Sequence, residues 1–199
     1  MGARTPSCVM MPGEAATFRD NRRMELHGPP GIRLEIFEAS HLPALAALID
    51  DPDVRRFTRV PDPPPPDFPA HWFERYVSGR EAGTSEAFAV RDQARGDFLG
   101  IAVAPKIDRV AATAELGYVI DAAARGRGIA TGSLQLLTSW AFADLEAERL
   151  ELLIDVENAA SKRVATRCGY LYEGTMRSVS LKPGVRADAE IWSRLPSDP

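Results

Sequence analysis

Arg125-Gly126-Arg127-Gly128-Ile129-Ala130-Thr131 separates two segments of opposite character. Before it, residues 113–120 read Thr-Ala-Glu-Leu-Gly-Tyr-Val-Ile and predict a central strand. After it, residues 129–145 place Leu136, Leu137, Trp140, Ala141 and Leu145 at helical spacing. A strand, a glycine-rich turn and a helix start present free backbone N–H groups to an anion. Gly126 and Gly128 let the backbone approach a ligand closely, because no Cβ stands in the way. Arg125 and Arg127 add charge suited to a phosphate. The stretch therefore predicts a cradle for a phosphate-bearing ligand, a pyrophosphate first of all.

Spacing narrows the ligand. The triphosphatase loop ends in Gly-Lys-Ser or Gly-Lys-Thr, and neither occurs in the chain. The dinucleotide fingerprint needs G-x-G-x-x-G, and Gly132 falls one residue late for it. The pattern [Q/R]-x-x-G-x-[G/A] is matched by Arg125, Gly128 and Ala130. Three further blocks flank it: Glu115-Leu116-Gly117-Tyr118-Val119-Ile120-Asp121, Asn158-x-x-Ser161-x-Arg163-Val164-Ala165, and Gly169-Tyr170-Leu171-Tyr172-Glu173-Gly174. In this order, over residues 112–177, the four blocks resemble the GNAT superfamily of acyl-CoA-dependent N-acetyltransferases. The serine three residues after Asn158 and the Tyr-Glu-Gly ending are most similar to the RimJ/RimL-type branch, which acetylates protein N-termini or small amines.

The resemblance implies an α/β fold: a single GNAT-like domain with a mixed, mostly antiparallel sheet, a splayed central strand pair and about four flanking helices. It implies acetyl-CoA as co-substrate, no metal, and direct attack by the amine without an acyl-enzyme. Arg125, Gly126, Arg127, Gly128, Ile129, Ala130 and Thr131 would form the cofactor cradle, with the thioester arm running back along Val119 and Ile120. Asn158 is placed to hydrogen-bond the pantetheine amides, and as a favoured N-cap it also suits the start of the next helix. Ser161 and Arg163 fall near the adenosine phosphate. Trp72 belongs to the acceptor-site wall. Many relatives carry a tyrosine general acid seven residues after the Asn158 position, where this chain has Ala165; water, Tyr172 or Ser161 remain as proton donors.

Amide formation from a thioester needs a deprotonated amine close to the carbonyl and a stabilised oxyanion. Glu115, on the central strand before the splay, is the candidate general base. Cys168 ends a predicted helix with no histidine nearby in sequence, and it reads as a small packing residue. Ala165 also motivates a second reading, a non-catalytic acyl-CoA-binding or regulatory module on the same fold. A third is an unrelated nucleotide-binding protein. The acceptor pocket is expected from residues 50–78 and the last loop, residues 179–186. Asp50, Asp51, Asp53, Asp62 and Asp67 would attract a cationic amine there. A peptide N-terminus, a polyamine and a biosynthetic amine all satisfy this description.

Composition bounds the rest. The 199 residues suit one ordinary domain; 45% are hydrophobic and 26% charged. No apolar run approaches the roughly 18 residues of a membrane helix, so no membrane partner is expected. Residues 1–20 lack the apolar core of a secretory signal. The net charge of −4 argues against a broad nucleic-acid footprint. Two cysteines, Cys8 and Cys168, give no disulfide framework and suit a reducing cytoplasm. His27, His41 and His71 are scattered without zinc-ligand spacing. A homodimer is compatible with the chain.

Residues 1–30 read as a flexible N-terminal extension and 31–196 as the GNAT-like domain. Residues 32–37 alternate as a first strand, and Ser40 is the expected N-cap of a helix over 42–49. Pro63 to Pro66 make a stiff surface loop. Further helices are expected over 53–58, 68–78 and 159–168, and strands over 87–90, 98–104, 150–156, 170–176 and 187–195. Lys182-Pro183-Gly184 supplies the last turn.

Overall fold

The computed structural model describes residues 24–182 and 184–199. Eight strands follow one another as β1 (Glu25–Gly28), β2 (Ile32–Ile36), β3 (Glu86–Asp92), β4 (Phe98–Asp108), β5 (Thr113–Ile120), β6 (Arg149–Asp155), β7 (Leu171–Lys182) and β8 (Val185–Arg194). Five helices are interleaved: α1 (Leu42–Ile49), α2 (Pro52–Phe57), α3 (Phe68–Ala82), α4 (Ile129–Asp144) and α5 (Ala159–Arg167). The strands form one sheet in the order β1-β2-β3-β4-β5-β6-β8-β7. Every neighbouring pair is antiparallel except β5 and β6, which are parallel and joined through α4.

Both faces of the sheet are covered. On one face Leu134, Leu137 and Trp140 of α4 pack with Leu34, Phe88, Leu116 and Leu150. On the other, Leu45 and Leu48 of α1 and Tyr76 of α3 pack with Phe37, Ala87, Ala89 and Ile101. This explains why β3 reads as a continuous apolar run: Phe88 and Val90 serve one core, Ala87 and Ala89 the other. Leu134 and Leu137 are fully buried, and each contributes on the order of 2 kcal/mol by leaving water.

The β5–β6 pair makes the site. Only Thr113, Ala114 and Glu115 are in register, with Arg149, Leu150 and Glu151, and beyond Glu115 the strands part. Beside the parting, β4 carries a bulge: Val103 pairs with Gly117 and Lys106 with Glu115, so β4 has one residue too many. Pro105 falls in that interval, where its missing N–H costs no ladder bond.

Three expectations need correction. Glu25–Gly28 lies within the stretch read as a flexible extension, yet it forms an edge strand paired with β2; residues 1–23 lie outside the described residues. Ser40 does not cap α1. A 3-10 turn, Ala39–His41, precedes the helix, and Glu38 and His41 cap it reciprocally, with the Glu38 N–H donating to His41 Nδ1 at 3.0 Å. The helix expected over 68–78 runs on as α3 to Ala82 before Gly83 ends it in a left-handed conformation (φ 68°). Of the last turn, Pro183 lies outside the described residues.

Candidate active site

The glycine loop reaches α4 through two left-handed residues, Gly126 at φ 75° and Gly128 at φ 80°. Gly128 is the N-cap of α4 and offers no side chain to its first turn. The first helical bond runs from the Gly132 N–H to the Gly128 carbonyl at 3.0 Å. The N–H groups of Ile129, Ala130 and Thr131 precede it and have no intrahelical acceptor. They stand at the positive end of a sixteen-residue helix, ready for an anion.

A cavity of about 600 Å³ starts at these residues. It takes in the opening between β5 and β6 at Tyr118, Val119 and Glu115, and Leu48, Phe57, Trp72 and Tyr76 beyond it. It thus joins the anion cradle to both faces of the splayed pair. A shallower hollow of about 760 Å³ at the end of α3 meets none of the expected site residues.

Of the expected cofactor residues, Val119, Ile120, Arg125, Gly126, Gly128, Ile129, Ala130, Thr131, Asn158 and Ser161 all line the cavity. Arg127 does not; its charge reaches Asp92 at the β3–β4 turn instead. The Arg125 guanidinium is also occupied elsewhere. It donates to Asp51 at 2.5 Å, to Asp53 at 3.3 Å and to the Ile120 carbonyl at 3.1 Å, strapping the loop to the α1–α2 junction. The loop therefore offers its backbone to the cavity, while the Arg125 guanidinium is tied to Asp51 and Asp53 and Arg127 stays out of the lining.

Asn158 caps α5, its Oδ1 accepting the Ser161 N–H at 3.0 Å, which leaves Nδ2 as a donor. Tyr118 donates its hydroxyl to Ser161 Oγ at 3.3 Å. Burial pushes the Tyr118 phenol up to about 12, against the pull of that hydrogen bond, so it stays protonated. This pair was not legible in sequence, because 43 residues separate its members. Tyr172 is half-exposed on β7, bonded to Thr175 at 2.9 Å and away from the cavity, so it is no proton donor here. Ala165 is fully buried. Cys168 is buried with its thiol raised to about 11, by burial above all, and it faces the Thr131 carbonyl at 3.6 Å as a packing residue.

Glu115 projects from β5 on the side of α1, α2 and α3. Its Oε1 accepts a hydrogen bond from Arg59 Nη2 at 2.6 Å, and its side chain is only 14% exposed. Burial raises its carboxyl above the usual value, Arg59 pulls it down, and neighbouring Glu151 pushes it up again. Trp72 lines the same end of the cavity, edge-on to Phe37 at 5.1 Å and 4.4 Å from the Tyr76 ring. None of the described residues of 179–186 lines the cavity; Lys182 instead donates to the Arg55 carbonyl of α2. Arg56 of α2 meets Glu157 of the β6–α5 loop at 2.8 Å, and neither side chain lines the cavity.

Among the described residues no three His, Cys, Asp or Glu side chains converge as a metal site, and no helix is long and apolar enough to cross a membrane.

Residues 32–171 match the family described as "Acetyltransferase (GNAT) domain". The chain is 31% identical over 145 residues to a Bacillus subtilis (strain 168) protein named "Putative ribosomal N-acetyltransferase YdaF", covering 72% of this chain and 70% of that one. It is 27% identical over 99 residues to the ribosomal-protein-serine acetyltransferase of Escherichia coli (strain K12), covering 50% of this chain and 55% of the relative. Among solved structures, the RimL ribosomal L7/L12 alpha-N-protein acetyltransferase in complex with coenzyme A superposes with a TM-score of 0.77 at 22% identity, over 86% of this chain and 98% of that one. The spermidine N-acetyltransferase of Vibrio cholerae, in complex with CoA and spermine, gives 0.74 at 20% identity, over 84% and 97%.

Proposed function

The chain belongs to the GNAT acetyltransferase family and is an N-acetyltransferase; we propose that it moves the acetyl group of acetyl-CoA to a primary amine, of a small molecule or a protein N-terminus, by direct attack. The observation that carries this reading is one continuous cavity from the uncapped start of α4, through the β5–β6 opening, to the buried carboxylate of Glu115.

The residues fit the co-substrate. The N–H groups of Ile129, Ala130 and Thr131 receive the pyrophosphate, and Asn158 Nδ2 donates to a pantetheine amide. Acetyl-CoA supplies an activated acyl carbon at the parting of the strands. Everything else is positioning and proton handling. Glu115 takes a proton from the incoming ammonium, directly or through one water, and frees the nitrogen lone pair. That pair bonds to the thioester carbon, and the C–S bond breaks as the tetrahedral adduct collapses. The leaving thiolate takes its proton from Ser161 Oγ, which Tyr118 backs with its own O–H, and the serine is reprotonated through water as the amide nitrogen sheds its second proton. Holding amine and thioester in register is the main contribution to rate.

The test is a screen of amines with acetyl-CoA, reading free thiol and the mass of the acetylated product. Thiol release with a matching gain of one acetyl group supports the reading. Tight CoA binding without turnover of any amine contradicts it and favours a binding module.

A further inference from the structure

The acceptor end of the cavity has a chemistry of its own. Phe57, Phe68, Trp72 and Tyr76 give it aromatic walls. Arg59 and Arg75 line it beside the largely buried Glu115; the other carboxylates that line the cavity, Asp53 and Asp155, belong to α2 and the end of β6. Arg59 rests on Glu115 at 2.6 Å. Arg75 lies with its guanidinium carbon 5.0 Å from the centre of the Tyr76 ring, and among the described residues no carboxylate pairs with it. The buried Tyr76 hydroxyl feels the charges of Arg75, Arg59 and Glu115, so the three groups share one neighbourhood.

Of the five aspartates expected to draw a cationic amine, four are otherwise engaged, and Asp50 does not line the cavity. Asp51 and Asp53 hold Arg125 at 2.5 and 3.3 Å, Asp62 lies 3.6 Å from Arg55, and Asp67 lies 3.4 Å from His71. Of these, only Asp53 lines the cavity. Beside Arg59 and Arg75, an acceptor that is purely a cation meets Glu115, a carboxylate that Arg59 already pairs. Once its ammonium engages Glu115, both arginines are left without a counter-charge, at a cost that grows as water is excluded.

We propose that the acceptor is an amine that carries its own carboxylate on an apolar, aromatic-sized body, with Arg59 and Arg75 holding the carboxylate and Glu115 the ammonium. This rests on the acetyltransferase reading above and specifies its substrate class. The planar fork of arginine matches a carboxylate bidentately, which a lone ammonium on the protein does not. The aromatic walls take the side chain. Engagement of Arg59 by the acceptor also releases Glu115 from its resting partner, so the base is unmasked only when the correct acceptor is present. The transfer itself is unchanged: the amine nitrogen bonds to the acetyl carbon, the C–S bond breaks, one ammonium proton passes to Glu115, and the nitrogen's second proton balances the one the thiolate takes up.

The experiment uses the full chain at saturating acetyl-CoA with L-phenylalanine, L-phenylalaninamide, phenethylamine and spermidine. The amide and phenethylamine lack the carboxylate and bracket phenylalanine in amine basicity. The expected kcat/KM for phenylalanine exceeds that of each carboxylate-free amine by about tenfold or more. Arg59→Gln and Arg75→Gln each narrow that ratio, chiefly by raising KM for phenylalanine, and Arg75→Lys restores part of it. Equal or better use of the amide, phenethylamine or spermidine overturns the proposal while leaving the acetyltransferase reading intact. So does an equal loss for all four amines in the arginine variants, or preference for a carboxyl-blocked peptide. No thiol release with any amine, in a protein that acetyl-CoA still stabilises against heat, overturns both together.

Discussion

Arg59 Nη2 lies 2.6 Å from Glu115 Oε1, joining the loop after α2 to the middle of β5. Two opposing influences meet there. Burial holds the carboxyl above its ordinary value of 4.5, Arg59 and Lys106 pull it down, Glu151 pushes it up, and the buried Tyr76 phenol lies close by. A base must be ionised to accept a proton, so kcat/KM rises with pH as Glu115 loses its proton, at a midpoint above 4.5. Arg59→Gln removes the stronger pull and moves this acid limb to higher pH, measured as a pH–rate profile. A limb unmoved or shifted down would speak against the pairing. The same sign governs the fold: the stability Glu115 contributes is complete below 4.5 and is lost as pH rises through the raised value.

Gly117 stands between Glu115 and Val119 on one face of β5. A Cβ there would meet only Val103 Cγ2, at an ordinary 3.5 Å, so packing does not demand the glycine. The space belongs to the cavity, which Gly117 lines. Gly117→Val is expected to keep or raise the melting temperature, since a β-branched residue suits a strand. It should lower kcat/KM by about tenfold or more through obstruction of the cavity. Lost stability with intact kinetics would invert the assignment.

Gly132 shows the opposite case. A Cβ there would come within 2.2 Å of the Pro29 carbonyl oxygen, because α4 lies hard against the β1–β2 turn. Gly132→Ala is expected to destabilise by about 1–3 kcal/mol, lowering the melting temperature by roughly 3–10 °C. An unchanged transition in calorimetry would mean that β1 and its turn are not held against α4.

Tyr118→Phe removes the hydroxyl that backs Ser161 and leaves the ring in place. A fall in kcat of about tenfold is expected, with KM for acetyl-CoA nearly unchanged, because the proposed mechanism uses this interaction only at the leaving thiolate. Ser161→Ala should be at least as severe, and the double variant should cost little more than Ser161→Ala alone. Fully additive losses would separate the two hydroxyls.

The sequence made the centre of the fold legible because its signals are local. Residues 113–120 are β5 to the residue, and the uncapped glycine start of α4 is written in seven consecutive positions. What escaped was non-local. β1 is four residues with one partly buried side chain, Leu26, packed against the core, and it exists because β2 is there to pair with it. Arg125 looked like a phosphate ligand because its partners, Asp51 and Asp53, lie 74 and 72 residues away. Arg59 reaches Glu115 across 56 residues, and no local pattern announces it. The last loop, residues 179–186, reads as acceptor wall in the sequence, whereas Lys182 ties it to the Arg55 carbonyl of α2. Motif blocks located the cradle and the strand; only folding decided which charges face the acceptor.

The central claim is that Glu115 is the base of an acetyl transfer whose donor is held elsewhere in the cavity. Steady-state turnover and calorimetric acetyl-CoA affinity of Glu115→Gln test it together, using the acceptor that the full chain turns over fastest. The account predicts a kcat lower by a factor on the order of 100 to 10,000, with the dissociation constant for acetyl-CoA within about twofold of the parent. Full turnover across the pH range, or a loss explained by weakened acetyl-CoA binding, would contradict it.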